Sequence, residues 1–135
     1  MRAYIDTDIL IWHLRGARQA LEFLRDLHEK GGYDLWVGAM QRAEIVFFMK
    51  PQQEELTLLF LAEFQTAPIT GDIINSAGKL YRRWHPSHEM DINDAILAAT
   101  VLHTGGQVFC LNTKHYPMPD FPVKKAWQTK QGELR

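Results

Sequence analysis

Residues 3–12 read AYIDTDILIW, in which two acids separate two short apolar runs. This pattern predicts a strand over residues 2–6 and a short helix over 8–14 that closes near Gly16. Asp6 then stands at the C-terminal end of a strand. Because ligand sites in open α/β sheets lie outside these strand ends, the sequence places Asp6 where a functional site is expected.

Strands and helices alternate along the rest of the chain. Strands are predicted at 35–37, 67–69, 108–111 and near residue 123, and helices at 17–30, 38–49, 52–64, 71–84 and between the loop at 85–89 and the pair Gly105-Gly106. This alternation predicts a three-layer α/β fold with a central parallel sheet of about four to five strands flanked by helices. One domain is expected over residues 1–127, followed by a polar, loosely ordered tail over 128–135.

Two further acids interrupt apolar helix faces. The positions one helical turn from Glu44 and from Asp94 are mostly apolar, so both side chains are predicted to face inward. Asp91 lies one turn before Asp94 and shares its side of the helix. An ionised acid in apolar surroundings is costly unless it is paired, so a divalent cation shared by Asp6, Glu44 and Asp94 is the expected partner. The alternative is that each carboxylate is satisfied separately, for example by Arg42 or by backbone donors.

Carboxylate ligands favour a hard cation such as Mg²⁺ or Mn²⁺, which also contacts substrate phosphates. The chain has a single cysteine and no HExxH pattern, so the sequence does not support a thiolate or protease-type zinc site. His85 and His88 stand in a proline-containing loop, which is better explained as a solvated loop than as a metal site. With Mg²⁺ or Mn²⁺, the three acids suit hydrolysis of a phosphodiester by metal-activated water.

The composition is that of an ordinary globular protein. The 135 residues are 46% hydrophobic and 23% charged, and a net charge of −1 does not by itself indicate a polyanion partner. Clusters of Lys and Arg form a basic rim suited to a phosphate backbone, although each cluster is also explained as a solvated helix face. Cys110 lies in an apolar run and suits a reducing cytosol. Acidic residues close to the N-terminus argue against a signal peptide, and the shortness of the apolar runs argues against a membrane-spanning segment. A cytoplasmic location is therefore predicted.

Four segments resemble the motifs of PIN-domain ribonucleases in order and spacing. They are residues 4–11 (YIDTDILI), 42–45 (RAEI), 93–100 (NDAILAAT) and 111–116 (LNTKHY). Small single-domain proteins of this kind are mostly VapC-type toxins of toxin–antitoxin pairs, which this chain resembles over nearly its whole length. The resemblance implies a PIN-like fold, RNA cleavage that depends on Mg²⁺ or Mn²⁺, a homodimer, and inhibition by a small VapB-like antitoxin whose C-terminal segment enters the active-site groove. It also implies Asp6, Glu44 and Asp94 as the catalytic and metal-binding acids.

One departure from the PIN pattern concerns the fourth motif. Many relatives carry an aspartate where this chain has Asn112, and an amide supplies neither charge nor a base. Asn112 is therefore assigned a supporting role, with His115 close behind it. Asp91 either restores the missing charge as a further metal ligand or acts as a helix N-cap favoured by the helix dipole.

Other residues near the motifs receive lesser roles. Thr7 is a candidate hydrogen-bond partner of Asp6 or of a substrate phosphate, and Asp8 either caps a helix that begins at Ile9 or supports Asp6. Weak RNA-binding roles are assigned to Arg15, Arg42 and Lys114. Surplus apolar residues indicate either a dimer face or packing within the monomer: Phe47, Phe48, Leu58, Leu59, Phe60 and Leu61.

Three alternative functions remain open. The chain fits a housekeeping PIN nuclease, or a degenerate PIN domain that binds RNA or a protein without cutting. The sequence Asp6-Thr7-Asp8 also resembles the opening of haloacid dehalogenase-like phosphatases, in which the first aspartate is the nucleophile. That interpretation leaves Glu44 unexplained.

Overall fold

The computed structural model describes residues 1–128, in which strands and helices alternate as predicted. Five strands form in this part of the chain: β1 (Arg2–Ile5), β2 (Asp34–Gly38), β3 (Gln65–Ala67), β4 (Gln107–Cys110) and β5 (Val123–Lys125). The tail predicted over 128–135 lies outside the described residues apart from Gln128.

Six α-helices join these strands within residues 1–128: α1 (Thr7–Leu14), α2 (Arg18–Glu29), α3 (Ala39–Val46), α4 (Glu54–Leu61), α5 (Gly71–Trp84) and α6 (Ile92–Thr104). Short 3-10 turns at Pro51–Gln53 and Thr113–His115 precede α4 and follow β4. The longest of the helices, α5, has 14 residues, whereas a membrane-spanning helix needs about 20. No helix in the described part of the chain combines the length and apolarity needed to cross a membrane.

All strand pairs are parallel, and the strand order is β3-β2-β1-β4-β5. The central strand β1 pairs with β2 on one side and with β4 on the other. The strands after β1 are therefore added first on one side of it and then, from β4 on, on the other side, which makes β1 the point where the strand order reverses. Such a reversal opens a crevice outside the carboxyl ends of the strands. The predicted fold is confirmed, and its natural ligand position lies next to Asp6.

Each face of the sheet carries its own apolar core, which makes the fold three-layered. Tyr4 and Val108 belong to the core formed with α5 and α6. Ile5 and Phe109 belong to the core formed with the first four helices. Successive strand residues face opposite sides, so β1 and β4 are buried on both faces and read as continuous apolar runs. Cys110 is a buried free thiol in β4.

Capping and proline residues explain where predicted boundaries hold and where they move. Helix α5 has the predicted limits because the Thr70 hydroxyl accepts a hydrogen bond from the backbone N–H of Ile73. Helix α3 ends at Val46, three residues earlier than predicted, and Phe47 is its C-cap. The third strand lies two residues earlier than predicted, because Pro68 has no N–H for the ladder and pairing stops at Ala67.

Candidate active site

Asp6, Glu44 and Asp94 share one pocket at the carboxyl ends of β1 and β4. The pocket has a volume of about 120 Å³ and receives residues from the β1–α1 junction, α3, the start of α6 and the turn after β4. Its lining residues are Asp6, Thr7, Asp8, Glu44, Asp91, Asn93, Asp94 and His115. Five of these side chains are carboxylates, so the fold gathers acids from distant parts of the sequence into one small space.

Asp6 is fixed by the backbone and by Tyr116. It is the N-cap of α1, where its Oδ1 accepts a hydrogen bond from the Thr7 backbone N–H at 2.8 Å. Its Oδ2 accepts a hydrogen bond from the Tyr116 hydroxyl at 2.7 Å. Its own backbone N–H donates to the carbonyl of Phe109 in β4 at 3.0 Å. Asp6 is thus held at both carboxylate oxygens, and only 7% of its surface is exposed.

Glu44 faces the pocket from α3 and has two side-chain partners. The Thr7 hydroxyl donates to its Oε1 at 3.2 Å, and the Asn93 amide donates to the same oxygen at 3.3 Å. Thr7 therefore binds Glu44 through its hydroxyl and Asp6 through its backbone N–H. This double contact orients two acids with one residue, a more specific role than the sequence indicated for Thr7.

Asp91 and Asp94 form a capping box at the start of α6. The Asp94 backbone N–H donates to Asp91 Oδ1 at 2.8 Å, and the Asp91 backbone N–H donates to Asp94 Oδ2 at 3.0 Å. Asp91 is thus an N-cap, and it also lines the pocket. Asp94 is 6% exposed, and its Oδ2 lies 3.8 Å from Nδ1 of His115.

Asp8 does not cap the first helix as one interpretation held, because α1 begins at Thr7 with Asp6 as its cap. Its Oδ1 accepts a hydrogen bond from the Ile9 backbone N–H at 2.7 Å. Its Oδ2 accepts one from the Leu111 backbone N–H at 2.8 Å, just beyond the end of β4. Asp8 therefore ties the first turn of α1 to the segment that carries the fourth motif, and its carboxylate lines the pocket beside Asp6.

Burial and mutual repulsion raise the pKa values of the clustered acids. Burial, with the nearby charge of Asp91, raises the pKa of Asp94 to about 8. Burial, with the charge of Asp6, raises the pKa of Asp8 to about 7. The pKa values of Asp6 and Glu44 are also raised, chiefly by burial and further by neighbouring acids. Ionising all of these groups together is costly, so positive charge in the pocket is stabilising.

Three carboxylate oxygens in the pocket accept no hydrogen bond within residues 1–128, namely Glu44 Oε2, Asp91 Oδ2 and Asp94 Oδ1. No group of three or more Asp, Glu, His or Cys side chains in this part of the chain is arranged to hold a metal ion. Mg²⁺ keeps several waters and uses one or two protein carboxylates. The oxygen donors therefore fit a hard cation held through a pair of acids, and direct ligation by Asp6, Glu44 and Asp94 together stays a prediction.

The fourth motif contributes His115 to the pocket lining, and Asn112 contacts His115 without lining the pocket itself. Asn112 caps the 3-10 turn Thr113–His115, where its Oδ1 accepts a hydrogen bond from the Lys114 backbone N–H at 3.1 Å. Its Nδ2 lies 3.2 Å from Nε2 of His115. Asn112 thus has the supporting position expected for it, acting on the pocket through His115. The Lys114 side chain is exposed on the same turn.

Arg42 has a structural role in place of the RNA-binding role assigned to it. Its Nε donates to the Thr66 hydroxyl at 2.6 Å, and its Nη2 donates to the carbonyl of Leu61 at 2.9 Å and, more weakly, to that of Phe64 at 3.4 Å. The guanidinium therefore joins α3 to the end of α4 and to β3. These bonds direct it to neighbouring elements, so it is not the partner that satisfies Glu44.

Replacing Arg42 with methionine tests this structural role. Methionine keeps an apolar stem but leaves two carbonyls and a hydroxyl without their donor, at a cost of about 1–3 kcal/mol. We expect Tm to fall by roughly 5 °C, while RNA binding per folded molecule is unchanged. Arg15→Met is the matched control, because the exposed side chain of Arg15 donates no hydrogen bond within residues 1–128, and its Tm is expected to stay at the wild-type value. Equal Tm values for the two variants would contradict the role given to Arg42.

Asn93 and Tyr116 belong to the site although the sequence did not single them out. Asn93 stands directly before Asp94 in the third motif, and this position was the available signal for its contact with Glu44. Tyr116 ends the fourth motif and bonds to Asp6 across 110 positions of the sequence. Hydropathy marks Tyr116 only as a core residue, so no local pattern reveals this contact.

Comparison with known proteins agrees with the motifs. The family model for the PIN domain matches residues 3–119. Ribonuclease VapC10 of Mycobacterium tuberculosis is 32% identical over 115 residues, which cover 84% of this chain and 85% of VapC10. Ribonuclease VapC19 of the same organism is 30% identical over 118 residues, which cover 86% of this chain and 94% of VapC19.

A solved structure supports the same fold. A chain in a toxin–antitoxin complex from Klebsiella pneumoniae superimposes with a TM-score of 0.78 at 23% identity, covering 94% of this chain and 99% of that chain. The family match at residues 3–119 includes all eight residues that line the acidic pocket. On the sequence match and the shared fold, this chain belongs to the PIN domain family.

Proposed function

We propose that this protein is an endoribonuclease that depends on Mg²⁺ or Mn²⁺ and acts as the toxin of a toxin–antitoxin pair. The observation that carries the proposal is the pocket of five carboxylates at the carboxyl ends of β1 and β4. Membership of the PIN family and two relatives named as ribonucleases support RNA as the substrate. The Asp-nucleophile interpretation is disfavoured, because Asp6 is buried and both of its carboxylate oxygens accept hydrogen bonds.

The charge of the pocket explains why the reaction needs a cation. Five carboxylates repel an RNA phosphate unless positive charge offsets them. When bound, Mg²⁺ or Mn²⁺ supplies that charge and lowers the pKa of a water ligand. Asp94 and Glu44 would hold the ion through their unpaired oxygens, while the hydrogen bonds of Thr7 keep the side chains of Glu44 and Asp6 in position. The exposed Arg15 and Lys114 are available to hold the flanking phosphates.

RNA cleavage by the purified protein tests the proposed activity. We expect a structured RNA to be cut in Mg²⁺ or Mn²⁺ and to stay intact when a chelator replaces the metal. Asp6→Ala and Asp94→Ala are expected to lose cleavage, whereas Asp72→Ala, which removes an exposed acid from α5, is expected to retain it. Equal residual cleavage by all three variants would show that the pocket is not the site.

A larger groove adjoins the acidic pocket and suits a segment of an antitoxin. It has a volume of about 580 Å³, is lined by residues of α1, α3, α4 and the α3–α4 connection, and shares Glu44 with the pocket. Its walls include the apolar side chains of Phe48 and Leu56, which are 82% and 75% exposed. Arg15 and Lys50 add positive charge along the lining. The expected occupant is a partner peptide with apolar residues for the walls and an acidic group for these cations.

Two adjacent phenylalanines allow a controlled test of the groove. Phe47 and Phe48 are 78% and 82% exposed, but only Phe48 lines the groove. We expect Phe48→Ser to weaken binding of the proposed cognate antitoxin by about 10-fold or more, the effect of losing one buried aromatic contact. Phe47→Ser is expected to bind like the wild type. Equal weakening by both variants, measured by calorimetry, would contradict docking in the groove.

A homodimer is the proposed oligomeric state. Leu58 and Leu59 are 41% and 62% exposed, so they remain candidates for the dimer face together with Phe47. Leu61 is buried and Phe60 stacks on His13, so these two pack within the monomer. Sedimentation velocity is expected to give the mass of two chains.

Expression that arrests host growth, relieved by Asp94→Asn, would distinguish a toxin from a housekeeping nuclease. The cytoplasmic location stays a prediction.

A further inference from the structure

The side chain of Asn112 is oriented by a backbone donor. The Lys114 N–H donates to Asn112 Oδ1 at 3.1 Å, so the oxygen of the amide faces the turn and its NH₂ group faces the other way. That NH₂ group lies 3.2 Å from Nε2 of His115. An amide nitrogen only donates hydrogen bonds, so Nε2 of the imidazole must accept. The polarity of this contact therefore follows from a backbone hydrogen bond two residues away.

This polarity determines which nitrogen of His115 carries the proton. A neutral imidazole has one N–H and one acceptor nitrogen. Since Nε2 accepts from Asn112, the proton lies on Nδ1. Nδ1 is 3.8 Å from Asp94 Oδ2, too long for a hydrogen bond but close enough for the N–H dipole to attract the carboxylate. A lone pair on Nδ1 at that place would instead repel the ionised carboxylate of Asp94.

We propose that Asn112 fixes His115 in the Nδ1–H tautomer and that His115 is a positioning residue for Asp94. The Asp91 backbone N–H and the His115 Nδ1–H both face Asp94 Oδ2, so Oδ2 is directed toward donors. Asp94 Oδ1 accepts no hydrogen bond within residues 1–128 and stays available in the pocket. The role rests on the proposed nuclease function, and it explains how a chain with asparagine at this position keeps its third acid oriented.

The tautomer is measured directly by ¹⁵N NMR of the histidine rings in the metal-free protein. We expect His115 of the wild type to carry its proton on Nδ1. Asn112→Asp is isosteric but replaces the donor at Nε2 with an acceptor, so we expect Nε2 of His115 to become protonated in that variant. An Nε2–H tautomer in the wild type, or the same tautomer in both proteins, would overturn the proposal whether or not the protein cuts RNA.

The effect on Asp94 is measured by Mn²⁺ binding and by kinetics. Partners that orient metal ligands typically contribute 10–100-fold, so we expect His115→Leu to weaken Mn²⁺ binding by about that factor and to lower kcat with KM for RNA unchanged. His115→Asn places an amide N–H near the position of Nδ1, and we expect it to bind Mn²⁺ within about 3-fold of the wild type. Equal loss in both variants would show that the ring contributes bulk and not its N–H.

The two measurements separate this proposal from the proposed function. If the wild type binds Mn²⁺ but does not cut RNA, the nuclease proposal fails while the Mn²⁺ affinities of the His115 variants still decide the positioning role. If RNA is cut and His115→Leu matches the wild type in kcat and Mn²⁺ affinity, the positioning role fails while the nuclease proposal stands. His115 is partly exposed on a turn, so its replacement leaves the core intact.

Discussion

RNA cleavage by the Asp94→Asn variant is expected to fall by about 10³-fold, which corresponds to roughly 4 kcal/mol of transition-state stabilisation. Asparagine keeps an oxygen that accepts the Asp91 backbone N–H, so the start of α6 stays intact while the charge is removed. The loss is therefore expected in kcat/KM and not in the folded fraction, as measured with a fluorescent RNA substrate and by circular dichroism.

Asp91→Asn is the matched control, and it decides between the two roles left open for Asp91. Asparagine is as good an N-cap as aspartate, so this variant also keeps α6. Since Asp91 is exposed whereas Asp94 is buried in the pocket, we expect the replacement of Asp91 to lower cleavage by less than about 10-fold. A larger loss for Asp91→Asn than for Asp94→Asn would place the essential charge at Asp91 and contradict the assignment of Asp94.

The metal-free protein is expected to lose stability as the pH rises from 5 to 9. The pKa values of Asp8 and Asp94 are raised to about 7 and about 8, from ordinary values near 3.8. Between these limits the folded protein holds more protons than the unfolded chain, so the stabilisation is complete near pH 4 and is lost as the pH passes 7 to 8. We expect the Tm in chelator to fall by several degrees across this range, as measured by thermal denaturation.

Millimolar Mn²⁺ is expected to restore most of this loss at pH 8 and to have little effect at pH 5, because the ion binds the ionised carboxylates of the folded state. Asp94→Asn removes one of the groups responsible, so its Tm in chelator should depend less on pH than that of the wild type. A Tm that rises between pH 5 and 8 in the absence of metal would show that the pocket acids are already ionised, and that their repulsion is smaller than their burial indicates.

The architecture could be read from the sequence because its signals are local. Apolar runs between turn residues located the strands, and Thr70 set the start of α5 correctly. The predicted boundaries were wrong in the third strand, where pairing stops at Ala67 before Pro68, and at the end of α3, which lies at Val46. The same local reasoning placed Asp6 at a strand end but did not reveal that Asp6, and not Asp8, caps α1, since both residues are good caps.

The acidic residues of the site could be predicted from the sequence, whereas their hydrogen-bond partners could not. Glu44 and Asp94 were visible because a charge on an apolar helix face breaks a pattern. The contacts of Tyr116 with Asp6 and of Asn93 with Glu44 depend on tertiary packing. Only the position of Asn93 beside Asp94 in the third motif was a signal in the sequence, and Tyr116 had none. Arg42 was misassigned because a basic residue beside an acid suggests an ion pair or a nucleic-acid contact, whereas its donors satisfy carbonyls at the end of α4.

The pairing of β1 with β4 also determines when the pocket can form. Ala3 pairs with Gln107, so the central strand waits for a partner that is made about a hundred residues later. Asp6 obtains the Tyr116 hydroxyl, and Asp8 the Leu111 amide, only after that pairing. A nascent or truncated chain that ends before β4 contains Asp6, Glu44 and Asp94 without the pocket that joins them. The pocket can therefore form only after β4 and the segment that reaches Tyr116 have been made.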